Sequence, residues 1–169
     1  MSVPKLYPPL RFATVEPGLY RGAFPTLRNF RFLRRLRLRT VISLVPSGPT
    51  NDLEKWCEFE EVDLIHHRTL PVKGETLTLP SSVVASVLNC LIDSSRLPAY
   101  VHCVDGVAAT GIVVMCLRKL QLWSLPSLVA EHQRFSRPPG VKHQPASLPD
   151  ALERFVSLEF GTSQASSSG

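Results

Sequence analysis

The stretch "AYVHCVDGVAATGIVV", residues 99–114, decides how this chain is read. "AYVHC" is short, apolar and rich in β-formers, which predicts a buried strand. From Gly111 onward, "GIVVMCLRKLQLW" is apolar and long enough for a central helix. Between them lies a tight loop. A strand that turns straight into a helix leaves the helix's first N–H groups unsatisfied at the positive end of the dipole, so the loop should accept an anion, phosphate being the usual one. The same field would stabilise the thiolate of Cys103, making it a nucleophile near neutral pH. Gly106 allows the backbone to curl, and the Thr110 hydroxyl is placed to donate to the thiolate or to assist a leaving group.

Outward from that stretch, strands and helices alternate. "TVISLV" (Thr40 to Val45) is β-branched and stopped by Pro46, as expected of a strand buried on both faces, and "DLIHHRTL" is a second strand candidate. The entry "KLYPPLRFATVEPGLYRG" reads as an extended segment with a turn at Pro17-Gly18 leading into a short edge strand around Leu19 to Arg21. Thr26 can cap a helix with apolar Phe30, Leu33 and Leu36, and Thr50 to Asp52 can cap an acidic one. "SSVVASVLNCLIDSS" predicts a helix with Val83, Val84, Val87, Leu88 and Leu91 on one side. Two more helices are expected in "LPSLVAEHQRFSR" and "LPDALERFVSLEF", with "LPVKGETLTLP" (70–80) a loop. The implied fold is α/β, a mostly parallel central sheet flanked by helices. Residues 1–11 read as an extension, 12–160 as one domain and 161–169 as a disordered tail.

The 169 residues suit one domain, and no apolar run reaches the roughly 20 residues of a membrane span. The N-terminal residues lack the apolar core of a secretion signal, so a cytoplasmic location is the default, with nuclear or mitochondrial locations open. Cys57, Cys90, Cys103 and Cys116 lack metal-ligand spacing, and neither a zinc site nor any other cofactor is expected. Adjacent His66 and His67 point to opposite faces of a strand and cannot chelate together. The net charge of +5 is concentrated between Arg28 and Arg39, with Arg28, Arg31, Arg34 and Arg35 on the first helix. That face is open to solvent, to an acidic protein, or to RNA or polyphosphate, charge alone not separating these. Trp56 and Trp123 read as packing residues.

His102, Cys103, Gly106, Thr110 and Gly111 match the signature H-C-x-x-G-x-x-R-[ST]-G, so the loop resembles that of cysteine-dependent protein tyrosine and dual-specificity phosphatases. The front segment from Val15 to Leu44 and "CLRKLQLWSLPSLVAEHQRF" extend the likeness to the atypical dual-specificity phosphatases of fungi and plants that cleave inositol pyrophosphates. The resemblance implies a loop-orienting role for His102 and an anion-facing role for Arg134 and Arg137. The sequence departs at the arginine position, which is Ala109, while Val104, Asp105, Val107 and Ala108 add no cation and one carboxylate. A missing guanidinium removes charge-assisted bonds of about 1.5–3 kcal/mol each. Asp105 should also repel phosphate and raise the thiol pKa. No aspartate lies between Leu64 and Ile92 to act as general acid, and Glu75 alone falls in the plausible loop. The expectation drawn from these departures is a pseudophosphatase that binds a protein partner or scaffolds a larger complex. An active phosphatase on inositol pyrophosphates or phosphoproteins, and a ribonucleoprotein subunit docking by its arginines, stand as alternatives.

Overall fold

The computed structural model describes residues 4–69 and 79–136. Five strands form one sheet in the order β1-β2-β5-β3-β4. The strands are β1 (Ala13–Glu16), β2 (Leu19–Ala23), β3 (Thr40–Val45), β4 (Asp63–Arg68) and β5 (Ala99–Cys103). Only the β1–β2 pair is antiparallel; β2–β5, β5–β3 and β3–β4 are all parallel. The continuous apolar runs explain the centre. Every residue of β3 and β5 is buried, as strands covered on both faces must be. The expected edge position of the Leu19 strand is corrected: β1 takes the edge, and β2 lies inside the sheet against β5. Pro17-Gly18, with Gly18 at φ +81°, turns β1 back onto β2, a hairpin too short to announce itself by periodicity.

Helices α1 (Leu27–Arg35), α2 (Asn51–Phe59), α3 (Ser81–Ile92), α4 (Ala108–Leu120) and α5 (Leu125–Ser136) cover the sheet. One face packs Ile42, Leu44, Val101 and Cys103 against Val84, Val87, Leu88 and Leu91 of α3 and the apolar residues of α4. The other packs Val41 and Tyr100 against Leu33 of α1 and Leu53, Trp56 and Cys57 of α2. Helix α4 is buried from Ala109 to Arg118, so it is the central helix its composition implied, but it begins at Ala108, one turn before the expected Gly111. That extra turn brings the helix's free N–H groups up to the loop. The Thr50 hydroxyl caps α2 by accepting from the Leu53 N–H. Thr26 begins α1 differently, its backbone N–H and hydroxyl both donating to Asn29 Oδ1. The expected helix at 148–160, the tail at 161–169, most of the 70–80 loop with Glu75, and Arg137 lie outside the described residues. Among those described, no helix is long and apolar enough to cross a membrane.

Candidate active site

Cys103 ends β5, the middle strand of the sheet, and the loop to α4 rises from the carboxyl ends of the parallel strands. That end of a parallel sheet is where ligands of such folds are met. Gly106 makes the loop's turn at φ +76°. A β-carbon at that position would stand 2.7 Å from Ala23 N and from Gly22 C, both backbone atoms that cannot step aside. Gly106→Ala is therefore expected to lower stability by about 1–3 kcal/mol and to push the loop off β2, measurable as a lower melting temperature together with lost anion binding. Gly111 serves packing: a β-carbon there would meet the His132 ring at 2.7 Å, so its absence lets α5 close on α4.

The loop's N–H groups converge. Asp105 Oδ1 accepts from Val107 N at 2.9 Å, from Ala108 N at 3.3 Å and from the Cys103 thiol at 3.3 Å. Burial pushes the Asp105 carboxyl up, but these bonds outweigh it and hold the group below the usual carboxylate range. The carboxylate that was expected only to repel an anion is itself the anion in the cradle. Ala109 is buried in the core beneath, and Val104 is exposed. The Thr110 hydroxyl is buried with no hydrogen-bond partner, so it does not reach the thiol as expected.

His102 is fully buried. Its ring stacks on Tyr100 at 5.7 Å, meets Phe24 edge-on at 5.0 Å, and turns Nδ1 toward the Cys103 carbonyl at 3.4 Å. Burial pushes its pKa down to about 4, so the imidazole is neutral at pH 7 and holds the loop rather than carrying charge.

Two cations outside the loop reach it, and sequence reasoning missed both. Arg11 donates Nη1 to the Asp105 carbonyl at 2.9 Å and Nε to the Phe135 carbonyl at 3.0 Å. Arg21, on β2, donates Nη2 to the Gly106 carbonyl at 3.0 Å. With the Gly106 carbonyl held by Arg21, the amide that follows it, Val107 N–H, points to Asp105 Oδ1. A signal for Arg21 existed: Leu19, Arg21 and Ala23 alternate on one face of β2, and its neighbours on that face are buried.

The remaining arginines are not assembled here. Arg28 lies over the Tyr7 ring at 4.8 Å, and Arg34 pairs with Glu60 at 2.5 Å. Arg31 and Arg35 are exposed on α1, and Arg34, Arg35 and Arg37 line a cleft between α1 and α2 that contains no loop residue. Arg134 is exposed on α5, one residue before Phe135. Asp63 and Asp93 are excluded as acids for Cys103. Asp63 is level with Thr40 while Cys103 is level with Leu44, and Arg96 bridges the two carboxylates at 3.6 and 3.7 Å at the opposite end of the sheet.

Residues 6–148 match the model of the tyrosine phosphatase family. The chain belongs to the tyrosine phosphatase family. Within that family it is 36% identical over 131 residues to inositol diphosphatase DSP1 of Oryza sativa, covering 78% of this chain and 59% of the relative. It is 33% identical over 129 residues to inositol diphosphatase DSP4 of Arabidopsis thaliana, covering 76% and 65% respectively. The chain thus spans about three-fifths of the length of these curated relatives. Among solved structures, the core catalytic domain of the PP-IP phosphatase SIW14 of Saccharomyces cerevisiae, in complex with citrate, superposes with a TM-score of 0.76. It shares 26% identity, over 90% of this chain and 87% of that one.

These likenesses overturn the expectation of an inactive scaffold. The relatives carrying this fold are named as diphosphatases and phosphatases, and none of these names points to a binding domain. The weight placed on Ala109 left only Arg134 and Arg137 to bring positive charge to the loop from outside it. The fold brings Arg11 and Arg21 to it from the front of the chain.

Proposed function

We propose that this chain is a cysteine-dependent phosphatase that removes the terminal phosphoryl group of diphosphorylated inositols, the substrate class named for its relatives. One observation carries the reading. Two loop N–H groups and the Cys103 thiol meet on a single carboxylate oxygen, so the loop is already folded around an anion, with the nucleophile beside it. A phosphoryl group takes that place when the Asp105 side chain rotates outward. Sγ of Cys103, its proton given to solvent, attacks phosphorus. The bond to the bridging oxygen breaks, and the electron pair leaves with the inositol phosphate. Water then cleaves the S–P bond and releases orthophosphate.

The chemistry of the leaving group supports an anhydride over an ester. An alkoxide needs a proton to depart, its parent alcohol having a pKa near that of water, about 15.7. The leaving group from a diphosphate is itself a phosphate with a second pKa of about 6, and it departs without one. Among the described residues, Asp63 and Asp93 pair with Arg96 at the far end of the sheet, away from Cys103, which suits a substrate that dispenses with general acid catalysis. General acids contribute about 10²–10⁴-fold, and the preference for an anhydride over a phosphoserine peptide should be on that scale. Orthophosphate release by the purified chain from a diphosphoinositol polyphosphate, a phosphoserine peptide and an aryl phosphate tests this. No release from the diphosphate above a protein-free blank would refute the proposal, and faster release from the peptide would move the substrate to phosphoproteins.

A further inference from the structure

We propose that Arg21 is the positioning cation of the phosphate loop, holding the Gly106 carbonyl from below and supplying the Cys103 thiolate with the positive charge that the loop itself lacks. The inference rests on reading this loop as the phosphatase site, and it adds a residue that the loop signature does not contain.

Arg21 is 1% exposed, the largest of the fully buried side chains. It lies on the face of β2 that also carries Ala23, and Ala23 is level with Cys103 in the adjacent parallel strand. Nη2 reaches the Gly106 carbonyl at 3.0 Å, the guanidinium stacks on the Phe135 ring at 3.8 Å, and Nε is buried without a partner. No carboxylate among the described residues forms an ion pair with it. Glu131, the nearest candidate on α5, is held at 3.0 Å by Arg118 of α4. Glu131 still favours the Arg21 charge from a distance, but without a direct ion pair a buried guanidinium is costly to hold. Negative charge can also come from the Cys103 thiolate, whose charge acts on Arg21, and from the phosphoryl group that arrives beside it.

Of the other charged and titratable groups around Arg21 and Cys103, Arg11 also reaches the loop, but through a solvent-exposed bond to the Asp105 carbonyl, where its charge is screened. On β5, His102 is held neutral by burial, and burial likewise pushes the Tyr100 phenol up and keeps it protonated. On α5, burial and then the nearby Arg21 hold His132 down at about 4, also neutral. Arg118 of α4 is neutralised by Glu131, and Asp105 contributes negative charge. Burial lowers the Arg21 pKa to about 10, with Glu131 and Cys103 opposing the fall, so the guanidinium keeps its proton throughout the neutral range.

The test is the pH profile of Cys103 alkylation by iodoacetamide in the purified chain. Peptide mass spectrometry separates Cys103 from Cys57, Cys90 and Cys116, and circular dichroism checks the fold. In Arg21→Gln, which keeps a polar amide but is two bonds shorter and carries no charge, the alkylation midpoint should rise by about one pH unit or more toward the free-cysteine value of about 8.5. The specificity constant on a diphosphoinositol should fall on the order of 10²-fold. Arg21→Lys should restore the midpoint while recovering only part of the turnover, because one ammonium cannot reproduce the fork. A folded Arg21→Gln chain with an unmoved midpoint overturns the proposal, and so does a wild-type midpoint no lower than that of free cysteine. If Arg21→Gln does not fold, Arg21→Lys decides: a midpoint kept at the wild-type value supports the role, and one at the free-cysteine value ends it. Alkylation needs no turnover. A wild-type chain that hydrolyses nothing therefore counts against the phosphatase reading, whereas an unmoved midpoint counts against Arg21.

Discussion

Cys103→Ser is expected to abolish orthophosphate release while leaving the fold and its melting temperature unchanged. The sulfur is almost fully buried at the end of β5 and donates to Asp105 Oδ1; a serine hydroxyl is smaller and can make the same bond, so packing and loop geometry survive. What disappears is the sulfur nucleophile. Removal of a covalent nucleophile costs on the order of 10⁶ in turnover number in enzymes where it has been isolated, and a loss on that scale would sink below any practical blank. Because the N–H groups remain, the variant should still bind a diphosphoinositol, readable by calorimetry. Residual turnover equal to wild type would place the chemistry elsewhere.

Asp105→Ala is expected to act in the opposite direction, raising the affinity for orthovanadate and the specificity constant by about 10–100-fold while lowering stability. In the native chain the Asp105 carboxylate competes for the donors a phosphoryl group needs, and it repels that group. Two unit charges 4 Å apart at an effective dielectric constant of 20 differ by about 4 kcal/mol, which the side chain's ability to swing away reduces. The same carboxylate caps the start of α4, and losing such a cap costs about 0.5–2 kcal/mol. The pH dependence follows from the sign. The folded carboxyl has a lowered pKa, so its stabilising contribution is present above the unfolded value of about 3.9 and fades as pH falls through the folded one. Sulfate affinity, measured relative to Asp105→Ala, should therefore climb in that acidic window as the native cradle loses its internal anion. Equal affinities at pH 7 would mean that Asp105 does not compete.

How much of this was legible in the sequence differs from element to element. β3 and β5 stood out because short, β-branched or aromatic apolar runs bounded by a turn signal suit strands covered on both sides, and Gly106 because a tight curl after a strand needs a left-handed residue. β1 was illegible: four residues after two prolines carry no usable period. In the site, matching the loop residue by residue located the nucleophile and missed its support. Arg11 and Arg21 sit 92 and 82 positions before Cys103, and only the register of β2 on β5 brings Arg21 under the loop. Asp105 was seen as a charge and not as a capping acceptor, although an aspartate two and three residues before free helical N–H groups is a familiar local acceptor.

Arg11 has one more consequence. A single left-handed residue (φ 54°) spans the Asp105 carbonyl and the Phe135 carbonyl near the end of α5, so it ties the leading segment and the last described helix to the same turn of chain. Leu10, its neighbour in the chain, accepts from the Ala23 N–H at the end of β2, so a neighbour seated on the leading segment would bear on the loop and on the strand beside it together.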